Sequence, residues 1–298
     1  MITRTKPHKP DVAQIVTDQI LEAMEKGVVP WQRPWKVSLP MNMVSKRQYH
    51  GINLLLLALS EHSNPYWLTF NQVEALGGMV KPGSKASRIV YWRILEHLSP
   101  DGEITEIPLL RYYCVFNLEQ TSISEDKIPK LGQEEFNPID ACEEVIKGMP
   151  SKPSLIGAQE AFYNRKEDVI GMPTKESFIS PEEYYSTLFH ELVHSTGHPK
   201  RLNRDNKYPE LGYKEAYSNE ELIAEIGSSI LCAYTGISPR TIENQSAYIE
   251  YWYKKLRGNK WLIMGASAIA QKAADYIMHL PGEINYNACT WLGDYYNL

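Results

Sequence analysis

Apolar positions fall at helical spacing in several stretches and cluster as β-branched or aromatic runs in others, a pattern that predicts an α+β chain. In DVAQIVTDQILEAMEK (11–26), Val12, Ile15, Ile20 and Met24 lie near one helical face, and Gly27 follows as a C-cap. VVPWQRPW (28–35) carries two prolines and two tryptophans and reads as irregular. GINLLLLALSEHS (51–63) predicts a helix, and TFNQVEALGG (69–78) a short one stopped by Gly77 and Gly78. ASRIVYWRILEHL (86–98) reads as a strand, PDGEI as a turn and LLRYYCVFNLEQ (109–120) as the strand pairing back.

Residues 121–137 are polar with little periodicity and hold the predicted linker. The expected layout is an N-terminal domain over 1–125, a linker over 126–137 and a mainly helical C-terminal domain with a small sheet over 138–298. In the latter, PIDACEEVIKGM looks helical and AFYNRKEDVIGMP looks like short strands around a turn. PEEYYSTLFHELVHSTGH reads as a helix with Ser180 as N-cap and Pro181 at its first position. NEELIAEIGSSILCAYTG and most of 246–280 predict two further helices.

Composition sets limits. Hydrophobic and charged fractions of 43% and 22% suit a globular protein, and no apolar run is long enough to span a bilayer. MITRTKPHKPDV lacks the apolar core of a signal peptide, and Cys114, Cys142, Cys232 and Cys289 are scattered, so a cytoplasmic location with reduced thiols is expected. The net charge of −5 is uneven: residues 1–120 hold 13 Lys and Arg against 11 Asp and Glu, the remainder 18 against 25. Two parts with different partners are implied.

The most specific chemistry lies in HELVH. Residues four apart on a helix stand one above the other, so His190 and His194 can face one ion while Glu191 lies beside them as a general base, the H-E-x-x-H geometry of zincins. A catalytic site needs a third protein ligand and an open position. The metzincin continuation fails, because Lys200 stands at its last position. His198 could join only if the helix ran on past Gly197 and Pro199. Gluzincin-type peptidases supply a glutamate from a following helix in patterns resembling E-x-x-A-D. Mapped on Glu221-Leu-Ile-Ala-Glu225, that makes Glu221 the ligand and Glu225 the residue supporting a histidine from behind, with exchange of the two open. Glu220 fits a solvated acidic face better than Glu225, which sits among Ile223, Ala224, Ile226 and Gly227. The ion expected is zinc or another divalent metal such as manganese. Tyr163, Tyr184, Tyr185 and Tyr217 are candidate oxyanion donors.

The first half interleaves aromatic and basic residues: Trp31, Arg33, Trp35, Lys36, Lys46, Arg47, Tyr49 and Trp67, then Lys81, Lys85, Arg88, Tyr91 and Trp92, then Arg111, Tyr112 and Tyr113. Single-strand binders combine basic grooves with aromatic faces in this way, although such aromatics are commonly core. The runs ILEAMEKGVVPWQRPW, YHGINLLLL, YWLTFNQVEALGGMVKPGSKASRIVYW and YYCVFNLEQ resemble the N-terminal domain of ArdC-type antirestriction proteins. AFYNRKEDVIGMP, YYSTLFHELVHSTGH and EELIAEIGSSILC resemble the zincin-like domain attached to it. The resemblance implies non-specific single-stranded DNA binding, metal residues at His190, Glu191, His194 and the E-x-x-A-E glutamates, and protection of incoming plasmid DNA from restriction during conjugation. The alternatives are a stand-alone intracellular metalloprotease acting on an unidentified protein, and a DNA-binding protein with a purely structural metal.

Overall fold

A computed structural model of the chain describes residues 11–33, 39–98, 104–129, 137–204, 213–239 and 245–280. Helix α1 (Val12–Glu25) is followed by strand β1 (Met41–Asn42), α2 (Ile52–Ala58), β2 (Tyr66–Leu68), α3 (Phe70–Ala75) and the long hairpin of β3 (Ser87–Leu98) and β4 (Ile104–Asn117). The second half runs α4 (Pro138–Gly148), β5 (Ser154–Gly157), β6 (Phe162–Asn164), β7 (Val169–Met172), α5 (Pro181–Ser195), α6 (Tyr213–Thr235), α7 (Gln245–Gly258) and α8 (Leu262–Ile277). One sheet has the order β1-β2-β4-β3, the other β5-β7-β6. The α+β class and the two-part build predicted from the pattern are what the chain adopts.

Local chemistry explains the main elements. Asp11 caps α1 by accepting from the Gln14 amide, and Val12, Val16, Ile20 and Met24 form its buried stripe. Ser180 accepts from the Glu183 amide, Pro181 opens α5, and Glu182 and Glu183 place negative charge at its N-terminus. The single helix expected over most of 246–280 is broken into α7 and α8. Gly258 weakens the helix, and the Asn259 carboxamide accepts from the Trp261 amide at 2.9 Å, a local bond that competes with helix continuation. The strands β1, β2 and β5, of four residues or fewer, carried too little periodicity to be read.

A single buried cluster takes in α1 and α2 from the first half together with α4 to α8. Trp31 lies inside it, donating to the Tyr248 hydroxyl at 2.7 Å and meeting Trp252 edge-to-face at 6.3 Å. A smaller cluster of Met43, Tyr66, Leu68, Val73, Leu118 and Ile123 lies by β2 and α3. Of the expected linker, 130–136 lie outside the described residues; Asn137 caps α4 by accepting from the Ile139 amide at 3.0 Å. No helix among the described residues is long and apolar enough to cross a membrane. Burial pushes the unpaired thiols of Cys142 and Cys232 up to about 11 and about 12.

The two halves also meet through polar groups. The Gly51 amide donates to Gln271 Oε1 at 2.9 Å, and Gln271 Nε2 donates to Asp275 Oδ1 at 2.9 Å. Burial raises the Asp275 carboxyl to about 6, because its Oδ2 is buried without a hydrogen-bond partner and charging it is costly. A raised acid pKa adds stability below its unfolded value near 3.8, and that contribution is lost as pH rises through about 6. The stability advantage of Asp275→Asn over the parent chain should therefore grow between pH 4 and pH 8, by roughly 2–3 kcal/mol. Urea unfolding at both pH values checks this; a constant difference would refute it.

Candidate metal centre and nucleic-acid interface

Helices α5 and α6 lie against each other with their apolar faces inward: Leu188, Leu192 and Val193 on one, Leu222, Ile223 and Ile226 on the other, all buried. Close approach is possible at Gly227, where an added Cβ would stand 2.9 Å from both methyls of Val193. This packing brings three donors together from two helices. His190 Nε2 lies 3.1 Å from His194 Nε2 and 3.6 Å from Glu221 Oε2, and His194 Nε2 lies 3.5 Å from Glu221 Oε1. Ligand bonds of about 2.0–2.2 Å put neighbouring donors roughly 3–3.6 Å apart around one ion, so the set fits a divalent cation in size and in its mix of imidazole and carboxylate. Glu191 is buried beside it. Among the described residues the group has three members, which leaves coordination positions for water or substrate.

A larger residue at Gly227 should wedge α5 from α6 and separate the histidines from Glu221. Gly227→Val is expected to cost roughly 1–3 kcal/mol by overpacking and to weaken Mn²⁺ binding with it. Unaltered melting and unaltered Mn²⁺ titration would show that the contact is not needed.

The surroundings differ from expectation in two respects. Glu225 is buried and accepts from Gln32 Nε2 at 2.9 Å, while His190 Nδ1 is buried with no hydrogen-bond partner. It is Glu220, expected on a solvated face, that meets a histidine, at 3.4 Å from His194 Nδ1. Burial would raise the Glu220 carboxyl, but the Arg204 guanidinium and His194 hold it at about 2. Burial disfavours a charged His194, yet Glu220, Glu221 and Glu191 together raise its pKa. His198 belongs elsewhere, its Nδ1 accepting from the Lys200 amide and lying 4.0 Å from Asp168. Tyr163 donates to Asp168 at 3.0 Å and Tyr185 donates to Glu143, so both hydroxyls are engaged outside the metal group. The Tyr184 ring packs between Phe178 and Tyr185. The Tyr217 side chain lies outside the described residues.

The aromatic and basic residues of the first half divide sharply. Trp31 is 0% exposed and Trp67 2%, so neither can offer a face for base stacking; both build core, correcting their assignment as DNA contacts. Arg33 donates to the carbonyls of Ala58 and Ser60, capping the end of α2. Tyr49 is half-buried against core, and Trp92 packs with Val90 and Leu110 on the inner face of the hairpin. Lys46 lies over the Tyr66 ring and Lys81 donates to the Glu119 carbonyl; both are exposed, as are Arg47 and Lys85. Trp35 and Lys36 lie outside the described residues.

Strand register decides the rest. Tyr91 is paired with Arg111, and Ile89 with Tyr113, so Tyr91, Arg111 and Tyr113 share one face of the hairpin. Tyr91 is 42% and Tyr113 44% exposed, their rings edge-to-face at 5.8 Å, with exposed Arg111 beside them. Arg88 lies over the Tyr112 ring on the other face, toward the open end of the hairpin.

Fold and metal group together define a protein with a zincin-like metallopeptidase domain behind a smaller α+β module. Residues 141–269 match the zincin-like metallopeptidase family MPTase-PolyVal, and residues 10–116 match the N-terminal domain of anti-restriction factor ArdC. The metal-free crystal structure of antirestriction ArdC from plasmid R388 is 34% identical, with a TM-score of 0.75 over 91% of this chain and 97% of that one. The Mn(II)-bound structure of the same protein is 33% identical, with a TM-score of 0.73 over 93% and 100%. The chain belongs to the ArdC antirestriction family. A DNA primase TraC of Escherichia coli is 32% identical over 92% of this chain, which spans only 20% of the primase. The uncharacterized protein y4eC of Sinorhizobium fredii is 29% identical over 93% of this chain and 95% of its own length.

Proposed function

We propose that this chain is an antirestriction protein that binds single-stranded DNA without sequence preference and protects plasmid DNA entering a new host by conjugation. The observation that carries the DNA half is the exposed Tyr91–Arg111–Tyr113 face: two rings offer stacking surfaces, which every base can use, and the guanidinium a phosphate partner. Relatives named DNA primase contain a segment like this chain, which supports a setting on DNA.

His190, His194 and Glu221 would hold a divalent cation, as the Mn(II) form of the R388 relative supports for a homologous domain. A bound divalent ion supplies Lewis acidity toward a carbonyl and a water of lowered pKa. The chain's own part in peptide hydrolysis is then borne by Glu191, which takes a proton from the attacking water and passes it to the leaving amine. Three ligands with coordination positions left over suit catalysis better than a closed structural site.

Fluorescence anisotropy with labelled single- and double-stranded oligonucleotides across a salt series tests the DNA half. Tighter binding of single strands, indifferent to sequence and weakening with salt, is the expected outcome. Absence of binding at low salt would leave a metallopeptidase-like protein with no role for its first module.

A further inference from the structure

We infer that Glu220 and Arg204 form a positioning pair that sets the ring orientation and tautomer of His194, an inference that rests on His194 holding a divalent cation through Nε2. A neutral imidazole that coordinates through one nitrogen carries its proton on the other. In His194 the Nε2 faces His190 and Glu221, so the proton belongs on Nδ1, and the acceptor in reach is Glu220 Oε1 at 3.4 Å. Partners of this kind, on the far nitrogen of a ligand histidine, are worth about 10–100-fold in metal affinity.

A carboxylate placed there needs an anchor and a counter-charge. Arg204, itself buried, supplies both: Nη2 donates to Glu220 Oε1 at 2.6 Å and Nε to Oε2 at 3.3 Å. The same guanidinium donates from Nη2 to the Val193 carbonyl at 2.7 Å and from Nη1 to the Thr196 hydroxyl. Val193 is in the last turn of α5, where its carbonyl accepts from the Thr196 amide at 3.1 Å and keeps room for a further donor, and it directly precedes His194. Glu220 stands next to Glu221 on α6. One arginine thus ties the backbone beside one ligand to the residue beside another, so the His194–Glu220 contact is held from both helices.

The competing account makes Arg204 a clamp on the end of α5 with Glu220 as its counter-ion and His194 uninvolved. Mn²⁺ dissociation constants, measured on the full chain by competition with a fluorescent chelator, separate the two. Glu220→Ala alone would strand a buried arginine, so the informative variant is Glu220→Ala with Arg204→Met, which removes both charges together. It should fold, by circular dichroism, and bind Mn²⁺ about 10–100-fold more weakly. Glu220→Gln with Arg204→Met restores an acceptor for Nδ1–H without restoring charge, and should recover most of the lost affinity. Wild-type affinity in the Ala/Met protein would overturn the proposal, as would a Gln/Met protein no better than Ala/Met. Wild-type affinity in His194→Ala would instead remove His194 from the ligand set, and the proposal with it.

Discussion

Replacing Tyr91 and Tyr113 together by alanine should weaken single-stranded DNA binding by two to three orders of magnitude while leaving the fold intact. Base–aromatic stacking contributes about 1–3 kcal/mol per base, and both rings lie open on one face of the β3–β4 hairpin. Neither is in the buried core, so the loss should fall on binding rather than on melting temperature. Arg111→Ala should act differently, weakening binding by less and flattening its salt dependence by about one phosphate contact. Phe70, 49% exposed on α3 and not part of the hairpin, is the control: Phe70→Ala should bind like the parent. Anisotropy titrations at two salt concentrations decide the matter, and undiminished affinity in the Tyr91/Tyr113 double variant would move the interface elsewhere.

The second large effect concerns the metal group. An ion bridging α5 and α6 binds only the folded chain, so Mn²⁺ at about a hundred times its Kd should add about 2.7 kcal/mol of stability. For a domain of 150–250 residues that is a rise of roughly 5–10 °C in melting temperature. His190→Ala should abolish the rise. Glu191→Gln should keep it, since Glu191 is no ligand in this arrangement, while lowering any metal-dependent cleavage of an unfolded test protein by about 10²–10⁴-fold. Scanning calorimetry with and without chelator reads the first effect. A rise unchanged in His190→Ala would place the ion outside these helices.

These expectations draw unequally on sequence and structure. The spacing in HELVH puts His190 and His194 on one face of any helix that forms there, and Ser180-Pro181 marks where it begins, so both could be read from local rules. The two strands of the hairpin were legible for the same reason, as two apolar runs, while the turn expected at Pro-Asp-Gly lies outside the described residues. Membership of a family was legible too, because motifs in both halves occur in the same order.

What the sequence could not decide were relations between residues distant along the chain. Whether Glu221, Glu220 or Glu225 meets the histidines depends on the rotation of α6 against α5, which the Gly227–Val193 contact and the neighbouring apolar side chains set. That rotation brings Glu221 to both Nε2 atoms, Glu220 to Nδ1 of His194, and Glu225 to Gln32 in the first half. Nothing in the sequence around Arg204 announces its grip on Glu220. Tryptophan in a basic setting reads the same whether it stacks on bases or fills a core. Trp31 and Trp67 were settled only by packing, since burial is a property of what surrounds a side chain and not of the side chain itself.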